Sequence, residues 1–198
     1  MKEGVIKYRL FHIVGSYAPP PPKAFFSFRQ WLYEKKWIGQ AADGLGYGNW
    51  SMRAPLPDWG ADAFYITASQ TSHLPALDAD QVALVTYYSM EENYLYCRGA
   101  LPASSEALSH AALYAAFADV GCAAHIHHRA AWEGLKGAVP TTDAAIAYGT
   151  PAMARAIQEA ASDAGVIVMG GHPEGLLFWE RTPEALQERM QAVMAPFS

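Results

Sequence analysis

The chain has 198 residues, 52% of them hydrophobic and 17% charged, which is enough to bury a core without disulfide or metal staples. A net charge of −5 with no stripe of Lys and Arg excludes a nucleic-acid surface, and no apolar run reaches the length of a membrane span. Cys97 and Cys122 form no CxxC pair and the N-terminal residues lack a signal-peptide core, so the expectation is a soluble, cytoplasmic protein with buried thiols.

In chain order, residues 5–13 (VIKYRLFHI) are rich in β-branched and aromatic residues and predict a strand, with His12 a structural histidine. Pro19 to Pro22 predict a rigid extended connector. Residues 1–198 therefore read as one domain, with 1–24 its N-terminal strand and connector. Over 25–38 the aromatics recur at helical spacing, and Gly39 is placed to end that helix. Residues 44–53 (GLGYGNWSMR) read as a Gly-rich loop bringing backbone close to a ligand or neighbour, with Asn49 and Ser51 as its polar groups. Its G-x-G-x-G spacing after a helix does not meet the dinucleotide fingerprint. Strands are predicted at 62–67, 81–88 and 93–97, the last two joined by a turn at Met90–Glu92, with Ser69 to Ser72 as a polar loop.

The stretch Ser104 to His128 carries the chemistry. Ser104, Ser105 and Glu106 lead into an Ala-rich helical segment, and an apolar strand then closes on His125-Ile126-His127. Side chains two apart on a strand share a face, so His125 and His127 project together while Ile126 and His128 point the other way. Two converging imidazoles are half of a zinc-type site, and Glu106 is the nearest carboxylate that could complete or serve it. Residues 129–149 read as irregular. Thr150-Pro151 starts a helix running to about Asp163 and stopping at Gly165, by an N-cap hydroxyl and a proline at the first helical position. Residues 166–170 are a buried strand ending in Gly171-His172, residues 175–180 another, and Thr182-Pro183 opens a last helix to about Met194. His172 would bring a third imidazole, the ligand number of an open catalytic zinc site. A cupin also uses His-x-His and a following Glu, but His127 to Glu133 is too long a spacing and the helices contradict an all-β roll. Strands interspersed with helices predict an α/β protein with a mixed, largely antiparallel sheet.

Taken together, GNWSMR, ITASQT, PASSEALSHAALY, AAHIHH, AYGTPAMA and GGHPEGLLFW, in this order, resemble the class II aldolase/adducin family over roughly residues 25–190. The resemblance implies a three-layer α/β/α fold and a homotetramer with active sites at subunit interfaces. It implies a divalent metal, zinc foremost with manganese or iron as alternatives, held by His125, His127 and His172. Glu106 matches the family's acid/base carboxylate, which can also ligate the metal before substrate enters. Asn49, Ser104 and Ser105 match positions that hold the substrate phosphate in sugar-phosphate aldolases, and Ser69 lies in the loop standing where their phosphate loop does. A metal with open positions polarises a carbonyl and stabilises an enediolate, while a carboxylate beside it moves a proton on the adjacent carbon. The implied activity is a metal-dependent lyase acting on a small hydroxy-carbonyl or sugar-phosphate substrate. An epimerase or dehydratase would use the same parts, and the adducin branch uses the fold for protein interaction. Two departures stand out. Residues 128–139 contain no tyrosine where sugar-phosphate aldolases carry a proton-donating one, and the chain adds an N-terminal strand.

Overall fold

The computed structural model describes residues 6–15, 19–54, 56, 59–60 and 62–197. In chain order its elements are β1 (Arg9–Val14), α1 (Lys23–Glu34), β2 (Gly39–Gln40), β3 (Gly46–Tyr47), β4 (Asn49–Arg53), β5 (Phe64–Thr67), β6 (Val82–Ser89), β7 (Tyr94–Gly99), α2 (Ala107–Ala116), β8 (Cys122–His127), α3 (Arg129–Leu135), α4 (Pro151–Ala160), β9 (Val166–Val168), β10 (Gly175–Glu180) and α5 (Pro183–Met194). The strands form two sheets. β2 and β3 pair alone, and the other eight form one sheet in the order β1-β7-β6-β5-β4-β8-β10-β9. Every neighbouring pair in the large sheet is antiparallel except β1 with β7. The sheet is therefore mixed and largely antiparallel, as its hairpin-like strand spacing predicts.

Period-two alternation sorts the side chains into two cores. On one face Ile66, Val85, Leu95, Ala123, Leu177 and Trp179 pack against Leu108, Leu113, Met153 and Ile157 of α2 and α4. On the other face Tyr65, Leu84, Ala124, Ile126, Leu176 and Phe178 pack against Phe25, Phe28 and Leu32 of α1 and Leu186, Met190 and Met194 of α5. The result is a three-layer α/β/α arrangement. Cys97 and Cys122 are both buried and free, and they belong to opposite faces, so the sheet itself keeps them apart. Burial pushes the Cys97 thiol up to about 11, which leaves it inert at neutral pH.

Several elements differ from the sequence expectation for local reasons. The predicted α1 stops at Glu34 because Lys36, at φ 59°, supplies the left-handed residue that Gly39 was expected to provide. Lys36 N–H donates to the Tyr33 carbonyl and Trp37 N–H to that of Leu32, the paired bonds of a Schellman ending. The Gly-rich reading of 44–53 holds only as far as Gly48, after which Asn49–Arg53 is a central strand paired on both sides. Within 129–149, expected to be irregular, α3 forms because the His128 ring accepts from the Ala131 N–H and caps it, a role usually filled by Ser, Thr, Asp or Asn. Val5, where the predicted first strand starts, lies outside the described residues, and the strand itself begins at Arg9. His12 donates to the Gly99 carbonyl at 2.9 Å, a structural bond. Both Thr-Pro starts are as expected: the Thr150 and Thr182 hydroxyls accept from the N–H groups of Met153 and Ala185, each at 3.2 Å.

Candidate metal and active site

Strand alternation positions the histidines. On β8, Cys122, Ala124 and Ile126 face the α1/α5 core, so Ala123, His125 and His127 face the α2 side. Across the sheet, β4 sets Asn49 opposite His125, and β10 sets Leu177 opposite His125 and Gly175 opposite His127. The glycine matters here. A Cβ at Gly175 would lie 3.0 Å from both the His125 Cε1 and the His172 Cγ, so a side chain there would wedge into the space between two imidazoles. Gly48 serves similarly at the other edge. With φ at +73° it lets backbone pass where a Cβ would lie 2.5 Å from Ile38 and 3.1 Å from the His125 carbonyl oxygen.

His172 arrives from the β9–β10 turn, whose bonds run from His172 N–H to the Met169 carbonyl and from Gly175 N–H to the His172 carbonyl. The nitrogens that His125, His127 and His172 can offer all lie within 4.8 Å of one another. The Nε2 atoms of His125 and His127 are 3.1 Å apart. His125 Nδ1 is 3.1 Å from the Leu176 carbonyl, which can only accept, so Nδ1 carries the proton and Nε2 keeps its lone pair toward the other rings. Burial first, then the neighbouring His172 and His127, drive the His125 imidazole well below its usual range. A neutral ring with its outer nitrogen bound to a carbonyl is the arrangement of a metal-ligating histidine.

Glu106 stands at the N-cap of α2, yet its side chain makes no capping bond. One carboxylate oxygen accepts from the Ser109 hydroxyl at 2.8 Å, and the other, Oε1, is buried with no hydrogen-bond partner among the described residues. Burying a carboxylate oxygen that way is costly unless something of opposite charge or a donor comes to it. Asn49 Oδ1 is buried and unpartnered in the same sense. Both line a small cleft together with Ser69, Ser104, Ser105, His125, Tyr148 and His172. Each site residue expected from the sequence thus borders this one cleft, except that His127 stands beside it, its ring 4.8 Å from that of His172. The three imidazoles fit a divalent metal: their nitrogens lie within reach of one point and the His125 tautomer is already fixed, while Glu106 borders the same cleft with a carboxylate oxygen that has no hydrogen-bond partner among the described residues.

Sequence reasoning missed three contributors. Tyr148 stacks on His172 with ring centroids 4.2 Å apart and an interplanar angle of 22°. Gln70, at φ 60°, lines the cleft and accepts from the Gly46 N–H, tying the 68–72 loop to β3. Tyr47 lies over His127 with ring centroids 5.4 Å apart. Tyr148 had a weak signal, a lone tyrosine directly before the Gly149-Thr150-Pro151 helix start, whereas Tyr47 was hidden among glycines.

A profile of the Class II Aldolase and Adducin N-terminal domain family matches residues 28–195, and the chain belongs to that family. Solved structures share the fold at low identity. L-fuculose-1-phosphate aldolase from Thermus thermophilus is 20% identical, with 87% of this chain and 86% of that one covered and a TM-score of 0.59. YgbL from Escherichia coli, a candidate aldolase/epimerase/decarboxylase, is 18% identical over 86% of this chain and 83% of its own, with a TM-score of 0.61. A sugar-phosphate aldolase from Thermotoga maritima is 13% identical over 86% and 92%, with a TM-score of 0.60. No curated protein matches the chain by sequence. Among the described residues, no helix is long and apolar enough to cross a membrane.

Proposed function

We propose that the protein is a metal-dependent lyase that cleaves a carbon–carbon bond in a small hydroxy-carbonyl or sugar-phosphate substrate. The observation that carries this reading is the convergence of three imidazoles beside a buried, unpartnered carboxylate oxygen. In it, His125, His127 and His172 hold a divalent metal, zinc foremost, with Glu106 as a further ligand before substrate enters. The metal, when bound, supplies a Lewis acid at the substrate carbonyl.

The chain's own residues do the rest. Glu106 Oε1 has no competing bond among the described residues, so it is the group to take or return a proton at the carbon beside the carbonyl, while Ser109 holds its other oxygen in place. Ser104 and Ser105 precede α2, whose N-terminal end is the positive pole of the helix dipole and favours an anion. With Ser69 and Asn49 they form the polar wall that holds a substrate phosphate or hydroxyls. Family membership supports a homotetramer, and the charge and thiol chemistry support a cytoplasmic enzyme.

Epimerisation or dehydration would use the same carboxylate, and the likeness to YgbL keeps that second reading in view. The test is to load the full-length protein with Zn²⁺ and screen it against L-fuculose 1-phosphate and other short sugar phosphates, trapping any aldehyde released. Turnover that chelation abolishes and Zn²⁺ restores is expected. Metal-dependent isomer formation without aldehyde would replace cleavage by epimerisation, and a loaded protein inert toward every substrate would overturn the enzyme reading.

A further inference from the structure

Lys7 lies ahead of β1 and outside the family-matched residues 28–195, yet it reaches the site. Its segment is firmly placed. The Tyr8 hydroxyl donates to the buried Ser104 carbonyl at 2.8 Å, Asn93 Nδ2 donates to the Lys7 carbonyl at 3.0 Å, and Arg9 N–H donates to the Asn93 carbonyl at 2.9 Å. From there the Lys7 side chain extends to Tyr148. Its ammonium sits 3.3 Å over the centre of the phenol ring and donates to the Tyr148 carbonyl at 2.7 Å. A cation that close to the ring and an imidazole stacked 4.2 Å away cannot occupy the same face, so Tyr148 is held between Lys7 and His172.

The contact is partly desolvated, which strengthens a cation–π attraction. Burial lowers the Lys7 pKa, while the Glu106 carboxylate acts in the opposite direction, so the ammonium feels the site's negative charge. Gly149 shows how closely these parts meet. A Cβ there would stand 3.4 Å from Lys7 Cδ, 3.6 Å from the Ser105 carbonyl oxygen and 3.8 Å from Glu106 Oε1.

We propose that Lys7 is a positioning residue of the site, its ammonium clamping the Tyr148 ring against His172 and so setting the angle at which that imidazole meets His125 and His127. The inference rests on the metal reading of the three histidines for its consequence, but not for its geometry. A ligand held by a packed neighbour has less orientational freedom to lose when the metal binds, as with the outer partners of other metal-ligating histidines.

The test compares wild type, Lys7→Met and Lys7→Arg as full-length proteins with two readouts. In the metal-free state, the ring protons of His172 should lie upfield in NMR because Tyr148 shields them. Lys7→Met should move them downfield, and Lys7→Arg, which keeps a cation and a donor, should restore them. Competition against a chelating dye should show Zn²⁺ affinity about tenfold weaker in Lys7→Met and recovered in Lys7→Arg. Ring signals or affinity unchanged in Lys7→Met would overturn the proposal, even if the melting midpoint fell. So would failure of Lys7→Arg to restore them. A wild type that binds no Zn²⁺ would overturn the proposed function together with the affinity arm, while the ring-proton comparison alone would still decide whether Lys7 clamps the stack.

Discussion

The two faces of β8 show how one short strand serves both the core and the site. Cys122, Ala124 and Ile126 are fully buried among the side chains of α1, α3 and α5, a dry surface with its contacts supplied by the protein. Ala123, His125 and His127 look the opposite way, toward α2, where His125 borders a cleft whose wall includes polar atoms the described residues do not satisfy and His127 stands beside it. Apolar packing on one face fixes the register, and a slip of one residue would exchange the histidines with Ile126. Hence the β8 side of the site needs no rigidity of its own making. It inherits the rigidity of the core behind it, and its unsatisfied polar atoms are tolerable because packing elsewhere offsets their cost.

The contrast predicts that changes on the site face alter rate and changes on the core face alter stability. The largest expected effect is on turnover. Glu106→Gln keeps the shape and an oxygen but cannot accept a proton, so turnover should fall about 10²–10⁴-fold with metal occupancy far less affected. Steady-state kinetics beside elemental analysis of the same preparation would check this. If Glu106 served only the helix dipole, the same change would leave turnover alone and cost under about 1 kcal/mol of stability.

Next in size is a crossed pair on adjacent residues of β8. Ile126→Ala empties space in a core where Ile126 is fully buried, and should cost about 2–5 kcal/mol in urea unfolding while the three imidazoles remain. His127→Ala, from a half-buried position, should weaken Zn²⁺ binding sharply and shift the unfolding midpoint far less. Equal effects of both variants on both measurements would break the two-face account.

A smaller effect concerns a second polar group on the α2 side. His110 Nδ1 is 2.7 Å from the Ser51 hydroxyl, which also bonds the Tyr114 hydroxyl at 2.7 Å, and burial holds the His110 imidazole down to about 3. Its ordinary value in the unfolded chain is near 6.5, so the fold prefers the neutral ring. The stability this contributes is complete above about pH 6.5 and is lost as pH falls toward about 3, at about 1.4 kcal/mol per pH unit for one proton. Denaturant titrations of the metal-free protein at pH 7 and pH 5 should show the loss, and His110→Gln should remove part of it.

Much of this was legible in the chain because local chemistry determined it. His-x-His on a strand places its own rings, Thr-Pro starts a helix by its own hydroxyl and ring, and His172 after two glycines marks a turn that exposes a side chain. What was hidden depends on distant partners. Asn49–Arg53 becomes a strand through its neighbours β5 and β8, not through its own glycine-flanked sequence. His128 caps α3 by an uncommon side chain for that role. Tyr148 and Lys7 meet across 141 positions of sequence, a pairing to which neither residue's surroundings give a clue.

In the proposed function His125, His127 and His172 together hold one divalent metal. Equilibrium dialysis of the chelator-stripped full-length protein against Zn²⁺, followed by elemental analysis, tests it most directly. One Zn²⁺ per chain is expected in wild type, with its loss in His127→Ala and circular dichroism nearly unchanged between stripped and loaded protein, since a core of this size folds without a metal staple. No stoichiometric Zn²⁺ in wild type, or equal uptake by His127→Ala, would contradict it.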